Sequence, residues 1–465
     1  MQQRLNKKLL NLNNTGLYPY HMPGHKRNIE LASDDNDSFG NRLSRVYDID
    51  ITEIDGFDNL HDANDVIKDA EERAARLYKS EETHFLVNGS SCGILSAISA
   101  VSKKGQKIIV SRNCHISVYN AIEINELVPV FVYPEVVATD AISSGIAGSI
   151  STNSIEIAIL NNPDACAVII TSPTYDGVLS NVSEIAKLAH EYNMPLIVDE
   201  AHGALFYIEG RSAVINGADI VINSVHKTLP SLTQTALIHI NGKLVDKKRV
   251  RKYLKIYQTS SPSYILMGSI DYAIEIMEES GNKLYREFCI RTLKLKDKLT
   301  KLRNLKYIEK DMLILDSVYD FDESKILIAA DNTGLSGKDI YNALIDKYKI
   351  QPEMAAGDYV LLMSTLFDTD DGIDRLVSAL YEIDNKCKDE DFAKYLNELE
   401  NESSTEDKQY ASIMKNNISN CSDMTVYAYP PGIPIIVAGE IITERVVSEI
   451  EKAISNKLDL KWIEQ

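Results

Sequence analysis

The feature that most constrains this chain is a repeated alternation of short apolar runs with helical segments between residues 85 and 240. The runs are apolar throughout and rich in β-branched residues, which indicates strands buried on both faces. The predicted strands are FLV at 85–87, KIIVS at 107–111, VPVFVY at 128–133, CAVIITS at 166–172, PLIVDEA at 195–201, ADIVINSV at 218–225 and TALIHI at 235–240. Strands of this kind separated by helices predict an α/β fold with a mostly parallel sheet.

The pattern changes after residue 260, and a chain of 465 residues is too long for one core. Residues 263–303 are predicted to form two successive long helices, followed by shorter strand candidates (MLILD, KILIAA and YVLLM) mixed with helices. A charged stretch at 384–408 predicts an exposed helix and a linker. We therefore predict an N-terminal segment at 1–60, a large domain with bridging helices at 61–303 and a smaller α+β domain at 304–465.

Composition argues against several classes of protein. The net charge of −19 disfavours a nucleic-acid-binding role, and the basic stretch at 243–255 is interpreted as the solvated face of a helix. No apolar run approaches the ~18 residues of a membrane helix, and the first residues lack the apolar core of a secretory signal. The six cysteines are far apart and form no CxxC pair, which favours a reducing cytoplasm.

Polar residues follow several predicted strands, and the carboxyl ends of parallel strands are where such sheets bind ligands. Ser90 and Ser91 follow FLV in a glycine-containing turn that leads into a helix, an arrangement suited to a phosphate. Serine is also an ordinary helix cap, so the turn is ambiguous by itself. His115 follows KIIVS, although a lone histidine is usually structural.

Two further strands end in ionisable groups. Asp199 and Glu200 follow PLIV. Acids at the end of a buried strand are costly to bury unless they are paired with a cation or a metal, so metal binding by Asp199 and His202 is one interpretation of this segment. Lys227 comes shortly after ADIVIN. Burial there would lower the pKa of its amine, and an amine that acts as a nucleophile needs such a lowered pKa. The alternative is a lysine whose stem packs while its head reaches water.

Together these groups match the needs of pyridoxal phosphate (PLP). Lys227 lies 28 residues (227 − 199) after Asp199, one strand later. A lysine holds this cofactor as a Schiff base, and a carboxylate keeps the pyridine nitrogen protonated so that the ring accepts electrons. A flat group stacks on the ring, and hydroxyls hold the phosphate. Zinc would explain neither Lys227 nor the serine turn. The sequence therefore predicts a PLP enzyme.

The chain resembles the Orn/Lys/Arg decarboxylase family of PLP-dependent enzymes, which have the aspartate-aminotransferase fold (fold type I). It is most similar to their short bacterial form, which lacks an N-terminal wing domain. The resemblance covers nearly the whole chain and rests on PYHMPGHKR at 19–27, TEIDGFDNLHD at 52–62, FLVNGSSCG at 85–93, RNCHISVYNA at 112–121, TSPTYDGV at 171–178, VDEAHGALF at 198–206, NSVHKTLPSLTQTA at 223–236, QTSSPSY at 258–264 and YPPGIPIIVAGE at 429–440.

The resemblance implies a role for each matching residue. Lys227 would bind the cofactor covalently, Asp199 would pair with the pyridine nitrogen, and His115 would stack on the ring opposite Ala201. The phosphate would be held by Ser90, Ser91, Ser224 and His226, together with Ser260 and Ser261 of a neighbouring subunit. His226 and Lys227 are the candidates for returning a proton to the substrate. The segment at 1–60 would contribute to the active site.

The resemblance also implies decarboxylation of a basic amino acid by a cytoplasmic homo-oligomer, at least a dimer. We expect arginine to be preferred, then lysine, then ornithine, with Glu440 near the distal cation of the substrate and no metal or nucleic acid involved. An aminotransferase or another lyase of the same fold is an alternative, but the matching motifs contain no arginine to grip the α-carboxylate. A catalytically idle PLP-binding scaffold is a second alternative.

Overall fold

The computed structural model describes residues 4–15, 22–23, 45–313, 317–330, 333–398, 405–429, 432–456 and 458–464. Its strands are β1 (Glu82–Leu86), β2 (Lys107–Ser111), β3 (Val128–Val132), β4 (Val136–Thr139), β5 (Ile142–Ala147), β6 (Val168–Thr171), β7 (Val178–Leu179), β8 (Leu196–Asp199), β9 (Ile220–Asn223), β10 (Ala236–Ile240), β11 (Lys306–Tyr307), β12 (Asp320–Phe321), β13 (Lys325–Ala329), β14 (Met354–Ala356), β15 (Tyr359–Met363), β16 (Met424–Ala428), β17 (Ile433–Ile436) and β18 (Leu460–Glu464).

The α-helices of these ranges separate or flank the strands. They are α1 (Leu5–Leu10), α2 (Val66–Tyr78), α3 (Gly89–Val101), α4 (Ile116–Ile124), α5 (Thr152–Asn161), α6 (Val182–Glu191), α7 (Phe206–Glu209), α8 (Val225–Thr228), α9 (Lys247–Tyr257), α10 (Tyr264–Leu299), α11 (Lys310–Leu313), α12 (Gly337–Asp346), α13 (Asp370–Lys386), α14 (Glu390–Glu398), α15 (Thr405–Asn416) and α16 (Glu444–Ser455). None of the described helices is both long and apolar enough to cross a membrane.

A seven-stranded sheet is formed by strands between residues 82 and 240, in the order β1-β10-β9-β8-β6-β2-β3. The pairs β9–β8, β8–β6, β6–β2 and β2–β3 are parallel, whereas β10 is antiparallel to both of its neighbours. Because β1 and β9 both oppose β10, β1 runs in the same direction as the parallel strands. The carboxyl ends of β1, β2, β8 and β9 therefore lie at one edge, and the predicted α/β fold with a mostly parallel sheet is confirmed.

Both faces of this sheet are buried, which explains why its strands are apolar without alternation. Ile197 and Ile222 belong to a hydrophobic cluster that includes residues of α3 and α9. Val198 and Val221 belong to a second cluster, which includes residues of α5 and α6. Successive residues along β8 and β9 thus face opposite layers of helices.

After the central sheet and α9, the chain continues with one long helix, α10, where the sequence predicts two in succession. It leads to a four-stranded sheet in the order β11-β13-β15-β14, and a three-stranded sheet, β17-β16-β18, lies nearer the end. Met312 and Leu313, predicted to start a strand, lie in α11, and residues 314–316 are outside the described residues. The three-part division at residues 60 and 303 stays a prediction.

Candidate active site

A cavity of about 360 Å³ lies at the carboxyl-terminal edge of the central sheet. Residues that follow β1, β2, β8 and β9 in the chain line it, as does Thr171 at the end of β6. Eight of the residues predicted from the sequence share this cavity: Ser90, Ser91, His115, Asp199, Ala201, Ser224, His226 and Lys227. The strand directions explain the convergence, because each of these residues lies at or beyond the end of a strand that points to this edge.

Ser90 and Ser91 lie in the first turn of α3. Gly89, which starts this helix, has φ of +76°, a conformation that strains residues with side chains. Its backbone N–H donates to the carbonyl oxygen of Gln234 at 2.9 Å, which fixes the turn against the segment before β10. Backbone N–H groups at a helix N-terminus favour an anion, so this turn is suited to a phosphate.

His115 caps the N-terminus of α4. Its Nδ1 accepts a hydrogen bond from the backbone N–H of Ser117 at 3.1 Å, which leaves the ring proton on Nε2. Burial lowers the pKa of His115 and favours the neutral ring. Gly432 packs beside this ring, and its φ of +82° brings its carbonyl oxygen to 3.0 Å from the backbone nitrogen of Ile116. The ring is thus held in one orientation at the cavity wall.

Two adjacent acids follow β8, and they have different surroundings. Asp199 is buried at the cavity, where its Oδ1 accepts from the backbone N–H of Ala201 at 3.2 Å. Burial raises the pKa of Asp199, although the neighbouring His115 and Lys227 oppose that shift. Glu200 points away and accepts hydrogen bonds from Ser212, Ala213 and Asn223. Asp199 is therefore the acid available to a ligand.

Lys227 lies in the single turn of α8. Its Nζ is 2.9 Å from Nε2 of His202. Burial lowers the pKa of Lys227, while the Asp199 carboxylate raises it. The neighbouring His226 has Nδ1 at 2.8 Å from the carbonyl oxygen of Thr235, so Nδ1 carries the proton and donates it. Nε2 of His226 is then the acceptor nitrogen.

Several buried polar atoms beside the cavity have no hydrogen-bond partner among the residues described. They are Oγ of Ser224, Oγ1 of Thr171 and both side-chain polar atoms of Asn113. Buried polar groups are normally hydrogen-bonded, so an unpaired set around one cavity is what a polar ligand would satisfy. A lysine, a buried carboxylate and a turn suited to a phosphate face the same space. These residues fit pyridoxal phosphate.

The cavity also contains residues that sequence reasoning missed. The sequence offers His202 only as a candidate metal ligand, and within the described ranges no group of three or more His, Cys, Asp and Glu could hold a metal ion. The Tyr175 ring meets His202 edge-on, with 4.8 Å between centroids, and its hydroxyl donates to Glu353. Tyr175 lies in the TSPTYDGV motif at 171–178, whereas Glu353 precedes β14 in a segment without any recognisable motif.

Three predicted site residues lie outside this cavity. Ser260 and Ser261 are exposed in the loop between α9 and α10, where a single chain does not test a contact with another subunit. Glu440 forms a two-pronged ion pair with Arg112, at 3.1 Å from Nε and 2.9 Å from an Nη atom. It borders a second cavity of about 610 Å³. Most of the PYHMPGHKR motif at 19–27 is outside the described residues.

Comparisons with known proteins identify the family of this chain. Residues 4–326 match the family model "Orn/Lys/Arg decarboxylase, major domain". The arginine decarboxylase of Bacillus subtilis is 32% identical over 456 residues, covering 95% of this chain and 91% of the relative.

Solved structures show the same fold. The lysine decarboxylase of Francisella novicida superposes with a TM-score of 0.80 at 20% identity, covering 99% of this chain and 79% of that structure. The serine palmitoyltransferase of Sphingomonas wittichii has a TM-score of 0.54 at 14% identity, covering 69% of this chain and 76% of that structure. The chain therefore belongs to the Orn/Lys/Arg decarboxylase family and is a pyridoxal-phosphate-dependent decarboxylase of basic amino acids.

Proposed function

We propose that this enzyme decarboxylates arginine in preference to lysine, and lysine in preference to ornithine, and releases the corresponding amine and carbon dioxide. The observation that carries the reaction is the convergence of Lys227, Asp199 and His115 on one cavity. The order of substrates is supported by the 32% identity to an arginine decarboxylase over nearly the whole of both chains. Likeness to the lysine decarboxylase structure supports the fold alone.

Each residue of the cavity would have one task towards the cofactor. Lys227 would hold it covalently, Asp199 would hold a proton on the pyridine nitrogen, and His115 would stack on one face, opposite Ala201. The phosphate would be bound by Ser90, Ser91, Ser224 and His226, and by Ser260 and Ser261 of the partner subunit. When bound, pyridoxal phosphate supplies an electron sink for the pair left behind as carbon dioxide departs.

The chain's own residues would control the protons around that reaction. Burial of Asp199 disfavours its charge until a protonated nitrogen is its neighbour, so the carboxylate is suited to a cationic ring. A proton must return to the substrate carbon, and either Nζ of Lys227 or Nε2 of His226 would deliver it. Nδ1 of His226 donates to Thr235, so Nε2 would have to take up a proton before it could deliver one.

We propose that Glu440 faces the distal cation of the substrate. Its carboxylate is 26% exposed although it is paired with Arg112, so it retains an accessible side. A carboxylate with an accessible oxygen accepts additional donors, because each oxygen has two lone pairs. Charge-assisted hydrogen bonds of this kind are stronger than neutral ones.

The experiment measures kcat/KM for arginine, lysine and ornithine in parallel, with wild type and Glu440→Gln. Removing the charge should lower kcat/KM for the preferred substrate by roughly 30-fold or more, which corresponds to about 2 kcal/mol. The absorption spectrum of the bound cofactor should not change. Glu123→Gln is the matched control, because Glu123 borders the same cavity and is exposed. Wild-type kinetics in Glu440→Gln would contradict its proposed role, and a preference for lysine would contradict the substrate order.

We also propose a cytoplasmic homo-oligomer, at least a dimer. All six cysteines are free, and three of them are buried, which is consistent with a reducing compartment. The exposed loop with Ser260 and Ser261 is anchored beside the cavity rim, since the backbone N–H of Thr259 donates to Asn88 at 3.3 Å. We propose that this loop reaches the site of a second copy.

A further inference from the structure

Asn113 and Thr171 are two residues of the active-site cavity whose side-chain polar atoms are buried and unpaired. Asn113 is 8% exposed and lines the cavity, and neither its amide nitrogen nor its amide oxygen has a hydrogen-bond partner among the described residues. Oγ1 of Thr171, at the end of β6, is buried, borders the same cavity and has no partner in that part of the chain either. Because buried polar groups are normally paired, polar atoms of a ligand are the expected partners of both side chains.

The backbone that carries these two side chains is held by hydrogen bonds. Arg112, next to Asn113, donates to the carbonyl oxygen of Pro434 at 2.8 Å. The backbone N–H of Thr171 donates to Oγ of Ser111 at 3.2 Å, which ties the end of β6 to the end of β2. Donors on a backbone that is already fixed lose little conformational freedom when a ligand binds.

The strand order places Asn113 and Thr171 on the side of the cavity away from the turn suited to a phosphate. β8, which ends at Asp199, lies three strands from β1, whose end leads into the turn with Ser90 and Ser91. On the other side of β8 the next strand is β6, where Thr171 pairs with Asp199 in the register, and the strand after that is β2. At ~4.8 Å between neighbouring strands, the end of β2 lies roughly 10 Å beyond the end of β8.

The proposed position of the cofactor leaves this side of the cavity to the substrate. In that arrangement the phosphate lies at Ser90 and Ser91, and the pyridine nitrogen lies at Asp199. His115, two residues after Asn113, would stack on the ring, so Asn113 lies near the ring on the side away from the phosphate. The inference made here rests on these proposed cofactor contacts.

The group of a basic amino acid that needs donors in this place is its carboxylate. Lys227 is the only lysine or arginine among the described residues that line the cavity, and the proposed function commits it to the cofactor. The amide nitrogen of Asn113 has two N–H donors and the hydroxyl of Thr171 has one, whereas a carboxylate only accepts. No hydrogen bond from the described residues fixes which end of the amide faces the cavity, so a carboxylate would select the donor end.

We propose that Asn113 and Thr171 bind the substrate carboxylate that leaves as carbon dioxide. Neutral donors suit this reaction. An ion pair with arginine would be strongest while the carboxylate carries its full charge, so it would stabilise the bound substrate more than the transition state in which that charge disperses. Hydrogen bonds from an amide and a hydroxyl are weaker and directional, so they orient the leaving group with less of this disadvantage.

The test compares two ligands that differ only in the carboxylate. 5-Guanidinopentanoate is arginine without its α-amine, and butylguanidine lacks the carboxylate as well, so neither carries the amine that reacts with the cofactor. Titration calorimetry on the PLP-loaded wild type should show that 5-guanidinopentanoate binds roughly ten-fold more tightly or better, because its carboxylate is hydrogen-bonded. Equal binding of the two compounds, or tighter binding of butylguanidine, would overturn the proposal.

The Asn113→Leu variant keeps the approximate size of the side chain and removes its donors. Its affinity for 5-guanidinopentanoate should fall by roughly ten-fold, while its affinity for butylguanidine should stay unchanged. Thr171→Val should change the two affinities in the same way. Asn120→Leu is the matched control, because Asn120 is exposed on α4 and lies outside this cavity. A wild-type preference for the carboxylate in both cavity variants would contradict the proposal.

Cofactor affinity separates a contact with the substrate from a contact with the cofactor. The dissociation constant of PLP, measured by absorbance titration, should stay within roughly two-fold of the wild type in Asn113→Leu and Thr171→Val. A larger loss of PLP affinity, with equal effects on the two guanidine ligands, would assign these side chains to the cofactor and overturn the proposal.

The wild-type comparison requires no variant to fold, so the proposal can be contradicted even if one variant is unstable. Failure of the proposed arginine preference would also be distinguishable. It would weaken the binding of both guanidine ligands alike, and the ratio of their affinities would still decide whether the carboxylate is bound.

Discussion

Asp199 and Lys227 are brought together by the register of two neighbouring parallel strands. Asp199 ends β8 and pairs with Ile222 of β9, and Lys227 follows that strand within the single turn of α8. Both side chains consequently face the cavity at the carboxyl-terminal edge of the sheet. This relationship places a buried carboxylate and an amine of lowered pKa around one ligand-sized space.

The Lys227→Ala variant should purify folded but should not bind the cofactor covalently. Turnover should fall by at least roughly 100-fold, because both the covalent attachment and a candidate proton donor are lost. Borohydride reduction of the wild type, followed by peptide mapping, should find the cofactor on the peptide that contains Lys227. Labelling of Lys325, the other buried lysine beside His202, would show that the attachment site is wrong.

Mixing two inactive variants should restore activity if each site is built from two chains. One parent is Lys227→Ala, and the other carries Ser260→Ala and Ser261→Ala. In a mixed dimer one site has both changes and the other has neither, so random mixing should recover about a quarter of the wild-type rate. The assay should follow subunit exchange over time. Absence of any recovery, or a fully active monomer in light scattering, would rule out the shared site.

The buried Glu200 should make stability fall as the pH rises. Burial raises its pKa from the ordinary 4.5 to about 7, so the folded state binds a proton more readily than the unfolded state. The stabilisation is complete below about pH 4.5 and is lost as the pH rises through about 7, an effect of up to about 3 kcal/mol. The thermal unfolding midpoints of wild type and Glu200→Gln, measured as a function of pH, should therefore converge or cross over this range. The midpoints of the exposed Glu191→Gln control should follow those of the wild type at every pH. Midpoints of Glu200→Gln that run parallel to the wild type would contradict the raised pKa of Glu200.

Asp384 should stabilise the segment that follows α10. Its carboxylate accepts hydrogen bonds from the backbone N–H groups of Arg303, Asn304 and Leu305, at 2.7–3.1 Å. Asp384→Ala leaves three backbone donors, of which that of Leu305 is buried, without an acceptor and should cost about 3 kcal/mol. Thermal unfolding measures the loss, with the exposed Asp391→Ala as control. Equal midpoints for the two variants would show that these hydrogen bonds contribute little.

The central sheet could be predicted because a strand buried on both faces must be apolar throughout, a pattern visible in one dimension. The sequence therefore predicts closely where β8 ends, at Asp199, and where β9 ends, shortly before Lys227. Asp384 shows the limit of such reasoning. It lies in a charged stretch that is predicted to be exposed, yet it is buried. The backbone groups that donate to it belong to a segment about 80 residues away in the chain, which the local sequence does not reveal.

The same limit applies at the cavity. Glu353 reaches it from the segment before β14, and Lys325 of β13 contacts His202 at its wall, so no local periodicity or motif identifies either residue. His202 was visible in the VDEAH segment, but its link to Lys325 is purely tertiary. The predicted break in α10 also failed, because Gly281 packs beside Met277 and Tyr207 within a continuous helix.

The central claim is that this cavity releases carbon dioxide from a basic amino acid while the cofactor is regenerated. The most direct measurement supplies carboxyl-labelled arginine to the PLP-loaded enzyme and follows labelled carbon dioxide, the amine product and the cofactor together. We predict one carbon dioxide and one amine per substrate over many turnovers, with the cofactor unchanged, and no release by Lys227→Ala. Conversion of the cofactor to its amine form without carbon dioxide, for arginine, lysine and ornithine alike, would contradict the account.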